Sequence, residues 1–229
     1  MSTELPPSRK DSEAIQILAT EHWSLLATRA LTYQESLGRV NMFLTILSGA
    51  VIALALVAQA DHFGTAFISV AIFMLTVVFF VGVATVRRLN MLNRDDFLWV
   101  LGMNRLRHAY LELHPELEPN FITSPHDDLV GALKTMGLDP VSAPTLGTVF
   151  HGFITLPGMI GVIVSAVAAA IAALAAVGFG SPVAGVLLAG VAGFAVSLGT
   201  ILRIGYRSFR RYGPAVQSVF PTPPKSPTS

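Results

Sequence analysis

Four stretches of this chain contain no Asp, Glu, Lys or Arg: Val40–Ala60, Phe63–Val86, a third ending near Val177, and Pro182–Leu202. A hydrocarbon core about 30 Å thick takes roughly 20 apolar residues in a helix. Within lipid, only helices and closed barrels pair all their own backbone groups. A buried helix of a water-soluble domain keeps one polar face, and these stretches keep none. The chain therefore reads as all-α, a polytopic membrane protein with four transmembrane helices arranged as two hairpins and carrying cytoplasmic helical extensions. Composition agrees, since charged residues make up only 13% of the chain, about half the share in an ordinary soluble domain.

The third span has two candidate starts. Pro157 fits a first helical turn, where its missing N–H costs nothing. Alternatively the helix begins near Phe150 and kinks at Pro157–Gly158. The continuous, kinked helix is the expected form.

Basic residues set the expected orientation. Arg9, Lys10, Arg29 and Arg39 precede span one; Arg87, Arg88, Arg94, Arg105, Arg107 and Lys134 lie between spans two and three; Arg203, Arg207, Arg210, Arg211 and Lys225 follow span four. These are all 15 basic residues, and the loops around Asp61–His62 and Gly178–Ser181 carry none. The positive-inside rule puts both termini and the central region in the cytoplasm of a multi-pass protein of the plasma or bacterial inner membrane. Residues 1–39 are polar, include five acidic residues, and lack the short apolar core of a signal peptide. The expected division is a cytoplasmic amphipathic helix over 1–39, transmembrane hairpin one over 40–86, a cytoplasmic helical region over 87–149, hairpin two over 150–203, and a largely disordered cytoplasmic tail over 204–229.

Ile15, Leu18, His22 and Leu25 form one stripe of the N-terminal helix, which is expected to run unbroken into span one. Span two is expected to continue past the membrane until Pro115 stops it. A short helix follows, with Ser124 as its cap, Pro125 in its first turn, Asp127 closing a capping box, and Gly137 ending it.

Two patterns in the spans point to function. Ser181, Gly185, Ala189, Gly193 and Ser197 recur every fourth residue in span four, and Gly161, Ser165, Ala169 and Ala173 do so in span three. Such small-residue faces let helix backbones approach closely. In span one, Asn41, Thr45, Ser48, Ala55 and Gln59 form the one polar stripe. Amides are costly in lipid, so the stripe should face protein or water. It reads either as interhelical hydrogen bonding or as the lining of a pore in which Ile52, Ala55 and Leu56 form an apolar, dewetting stretch.

Other chemistry is thinly supported. The chain has no cysteine, which removes disulfides, thiolate metal sites and cysteine nucleophiles. No ionisable residue lies mid-span, where proton-coupled transporters usually carry one; His151 sits at the mouth of span three and reads as an interfacial polar residue or, alternatively, a pH-sensitive gate. His108, Glu112, His114, Glu116, Glu118, His126, Asp127 and Asp128 cluster in the central region, but salt pairing with Arg105 and Arg107 accounts for them as well as a metal does. No phosphate loop, zinc-protease motif or nucleophile elbow is present. We therefore expect no catalytic residues, no metal, no cofactor and no enzyme activity, and no nucleic-acid partner. Arg87, Arg88 and Arg203 are expected headgroup anchors on membrane lipids. The expected function is a homo-oligomeric pore or membrane-permeabilising effector lined by Asn41, Thr45, Ser48, Ile52, Ala55 and Gln59. The alternative is a non-conducting membrane scaffold whose cytoplasmic helices bind a partner protein.

Overall fold

Two helices account for almost half of the chain. In the computed structural model, which describes residues 9–137, 155–212 and 217–224, α1 runs Arg9–Asp61 over 53 residues and α2 runs Thr65–Leu113 over 49. At 1.5 Å per residue each is more than twice as long as a bilayer core is thick. Both run without a break, as their uninterrupted sequences dictate. A 3₁₀ turn at Pro115–Asn120, α3 (Leu129–Thr135), α4 (Leu156–Gly178) and α5 (Val183–Tyr212) complete the order. No strand occurs among the described residues. Four of the helices, α1, α2, α4 and α5, are long and apolar enough to cross a membrane.

The turns are made by specific residues. Between α1 and α2, His62 and Phe63 take left-handed backbone (φ 48° and 62°). The Asp61 carboxylate accepts from Phe67 N–H at 2.7 Å and caps the new helix. Gly180, at φ +70°, closes α4; a side chain there would be strained.

The residues divide into two compact units. The larger comprises Gln34–Leu92 with α4 and the body of α5. Its core is Val40, Phe43 and Ala50 of α1, Leu75, Val78, Val86 and Leu89 of α2, and Ile160, Val164 and Val167 of α4. Three helices meet at Gly82. A Cβ built there would lie 2.5 Å from Val164 Cγ2 and 2.9 Å from Phe43 Cε2, so the absent side chain makes room for the wholly buried Phe43 ring. Helix α5 packs on α4 through small residues, and none of its most apolar stretch is buried within the chain.

The smaller unit comprises α1 up to Tyr33, α2 from Asn93, α3, and residues 217–224. Its core is Val100, Leu101, Met103 and Ala132, with Leu25 and Phe97 packed against it. Arg29 binds Asp96 at 2.6 Å and joins α1 to α2. The expected stripe is partly right: Leu25 approaches Gly102 and His22 lies beside Tyr110.

Three expectations need correction. Helix α4 begins at Leu156, because Thr155 is extended (φ −66°, ψ 152°) and its hydroxyl accepts from Gly158 N–H. Pro157 thus occupies the first turn and produces no mid-helix kink; Phe150 and His151 lie outside the described residues. The short helix is capped by Asp128, whose carboxylate accepts from Gly131 N–H at 2.7 Å. Ser124 is buried and accepts instead from His126 N–H. Finally, residues 204–212 continue α5 as a helix, and 217–224 are held by hydrogen bonds described below.

The Gly82 junction is directly testable. Gly82→Ala should overpack the site and cost about 1–3 kcal/mol. Gly199→Ala, where nothing lies within 4 Å, should leave stability unchanged or slightly raised. Thermal unfolding of both variants in detergent micelles checks the contrast.

Candidate functional site

The polar stripe of span one is the first candidate. Asn41, Thr45, Ser48, Ile52, Ala55 and Gln59 are all exposed in the chain. Helix α1 turns the opposite face, Val40, Phe43, Leu47, Ala50 and Leu54, to α2 and α4. The stripe is therefore not used for hydrogen bonding to the other described helices of the same chain. Thr45 satisfies its own hydroxyl on Asn41 C=O at 2.9 Å. The side chains of Asn41, Ser48 and Gln59 have no hydrogen bond among the described residues. Carboxamides placed in an otherwise apolar span need a polar partner or water, and the described residues of a single copy supply no such partner.

The small-residue faces do meet, in a shifted register. A Cβ added at Gly193 would stand 2.9 Å from Ala172 Cβ and 3.1 Å from Ala168 O, and Gly190 lies opposite Ala169 and Ala173. Ser165 donates to Gly161 O at 2.8 Å and lies 3.2 Å from Ser197 Oγ. Gly161 itself faces Ile201. The atoms nearest a Cβ added at Gly185 belong to Ser181 and Pro182 of its own helix end. Ala189 is half-buried on the same helix. Gly190, off the expected ridge, was legible as a second small residue one position along.

Of the three expected anchors, Arg87 and Arg203 are exposed, whereas Arg88 is engaged inside the protein. Its Nε and Nη2 reach the two Glu35 oxygens at 2.9 and 2.8 Å, and Arg39 reaches Glu35 at 2.8 Å. Arg88 first, and then Arg39, hold the Glu35 carboxyl at about 2, below its ordinary 4.5. This triad binds α1 to α2, and its signal in the sequence was a lone acid among arginines.

The second candidate is the acid pair Asp127–Asp128. Asp127 is fully buried. Burial alone would raise its pKa, but donors outweigh it: the N–H groups of Val219 (3.0 Å) and Phe220 (2.7 Å), the Ser218 hydroxyl (2.7 Å) and Arg105 Nε (2.5 Å). The carboxyl is thereby held well below the usual range. Asp128 adds the Thr222 N–H and hydroxyl at 2.9 and 2.8 Å. Arg105 Nη2 donates to Gln217 O, and the Phe220 ring stacks on His108 at 3.8 Å. Residues 217–224 thus form a strap clamped across the acid pair. Asn104 completes the cluster, donating to His126 O while its carbonyl accepts from Arg107 and Thr135. Of the acids that the sequence grouped as candidate metal ligands, Asp127 and Asp128 are occupied by the strap while Glu112 and Glu116 lie beside His108 and His114, and no group of three or more potential ligands converges among the described residues.

No protein-family model, curated protein or solved structure matches the chain.

Two outcomes follow. Asp127→Asn should cost about 1–3 kcal/mol, since it strips acceptors from buried donors, and should free the strap. Hydrogen exchange will then show lost protection at Val219 and Phe220 with Phe43 unchanged. Glu35 contributes stability fully above its ordinary pKa of 4.5, and that contribution is lost as pH falls toward about 2. Glu35→Gln should flatten acid unfolding across that window, measured by circular dichroism in micelles.

Proposed function

We propose that the chain is a homo-oligomeric membrane pore in which α1 lines the conduit. The observation that carries this is the exposure of all six stripe residues on a span whose other face is fully used. A ring of such helices surrounds its axis with Asn41, Thr45 and Ser48 toward one end and Gln59 at the other. Between them Ile52, Ala55 and the exposed Leu56 make an apolar collar. A collar of that kind gates by excluding water. The location of every basic residue outside the short inter-helix loops supports two hairpins with both termini and the smaller unit in the cytoplasm.

A second reading keeps the membrane anchor without the pore. It is favoured by one observation, the exposure of Ile17, Trp23 and Ile122 on the smaller unit (70%, 71% and 95%), apolar surface of the kind a protein partner covers.

Dye release from liposomes of phosphatidylethanolamine and phosphatidylglycerol separates the two. The wild-type protein is expected to empty the vesicles, and Ser48→Leu to reduce release to the level of protein-free vesicles while the particle size in nanodiscs stays unchanged. Wild-type protein that releases no dye, or a Ser48→Leu variant that releases as much as wild type, overturns the pore and favours the scaffold.

A further inference from the structure

The strap over residues 217–224 is attached differently from the rest of the smaller unit. None of its residues is buried, and none enters the core of Val100, Leu101, Met103 and Ala132. Exposure alternates along it: Ser218, Phe220 and Thr222 are half-buried, and the residues between them are exposed. That is the period of an extended chain lying on a surface. Apart from one ring, its attachments are polar and directional. Ser218 Oγ and the N–H groups of Val219 and Phe220 donate to Asp127, and the N–H and hydroxyl of Thr222 donate to Asp128. Phe220 C=O accepts from Asp127 N–H at 3.2 Å, and Gln217 C=O accepts from Arg105. The Phe220 ring lies on His108, 20° from parallel. Prolines stand only at 221, 223 and 224, positions whose N–H no described acceptor needs. They fix φ near about −65°, so the segment gives up less freedom when it docks.

We propose that Arg105, His108, Asp127 and Asp128 form a peptide-recognition groove, with the strap as its resident occupant. The ligand that replaces the strap is an extended segment of a partner protein with the same pattern. That pattern is a hydroxyl, an aromatic ring two residues on and a second hydroxyl four residues on, with prolines only where no N–H is used. The groove reads main chain and side chains together. The carboxylates accept N–H groups that any extended segment offers, the His108 ring selects an aromatic, and the two negative charges reject an acid or a phosphate at either hydroxyl position. Without an occupant Asp127 keeps Arg105 as its one remaining described donor, and water has to replace three bonds. The complementary ligand is therefore a segment that brings those donors at that spacing. Because the core excludes the strap, an exchange of occupants leaves the packing of the unit in place. A strap tethered to its own chain competes at an effective concentration on the order of millimolar. It thus shields the groove from weak encounters and yields to a tighter ligand. The groove lies wholly within the smaller unit and stands whether or not α1 lines a pore.

The test uses a fluorescein-labelled peptide of the sequence Gln217–Pro224 and the full-length chain in detergent micelles. The double variant Val219→Pro, Phe220→Ala removes one N–H and the ring from the strap and leaves the groove unaltered. By fluorescence anisotropy the peptide is expected to bind this opened chain saturably, and about tenfold or more tightly than it binds wild type, whose own strap competes. A peptide phosphorylated at Ser218, or with Ala in place of Phe220, is expected to lose that binding. An opened chain that binds the peptide no better than wild type does, or that binds the altered peptides equally well, overturns the groove and leaves the strap a fixed staple. Hydrogen exchange at Met103 shows whether the opened chain keeps its core. A second measurement needs no variant. Isotope-labelled peptide is added to wild type in excess over the roughly millimolar effective concentration of the strap. Loss of protection at the chain's own Val219 and Phe220 amides, with Met103 unchanged, is the expected result; full protection of the strap at that excess overturns the exchange.

Discussion

Three helices come together because one residue has no side chain. Gly82 on α2 leaves the space into which Phe43 of α1 and Val164 of α4 both project, and from that junction the core of the larger unit extends in both directions along α1 and α2. Lipid offers no hydrophobic drive between helices, so association in a membrane depends on close packing and on a few polar contacts. Gly82 supplies the first. The same logic, with Gly193 against Ala168 and Ala172, attaches α5 to α4.

Polar contacts take over where the helices leave the apolar stretch. Glu35 grips Arg88 and Arg39, Arg29 grips Asp96, and Arg105 shares Asp127 with the strap. Glu35–Arg88 and Arg29–Asp96 pair opposite charges on facing helices, so they select a register as well as adding stability. Asp127 shows how a buried carboxylate is tolerated: four donors surround it, so the charge is solvated by the protein itself. The strap is thereby a component of the smaller unit and not a loose tail.

Helix α1 carries two faces with different fates. The inner one is consumed by packing inside the chain. Across the span the outer one holds small, polar and aliphatic residues without charge, and none of the described residues covers it. The proposed oligomer and pore rest on that uncovered face.

The sequence by itself determined the helical class, the four apolar helices, the unbroken runs of α1 and α2, and the polar stripe, because each depends on local composition and period alone. Gly137 as the end of α3 was equally legible, being a matter of one residue's backbone freedom. Other features depend on which residues become neighbours across long separations. Gly82 could be seen as important only once Phe43 and Val164 were placed beside it. Ser124 looked like a cap by spacing, yet Asp128 won because its carboxylate also met Thr222, 94 residues away. The proline-rich composition of the C-terminal segment signalled disorder, and composition says nothing of two distant carboxylates waiting for its N–H groups. Whether the stripe on span one faced its own bundle was likewise undecidable from spacing, since a helix has no inside until its partners choose a side. Tertiary packing chose the Phe43 face and left the stripe exposed.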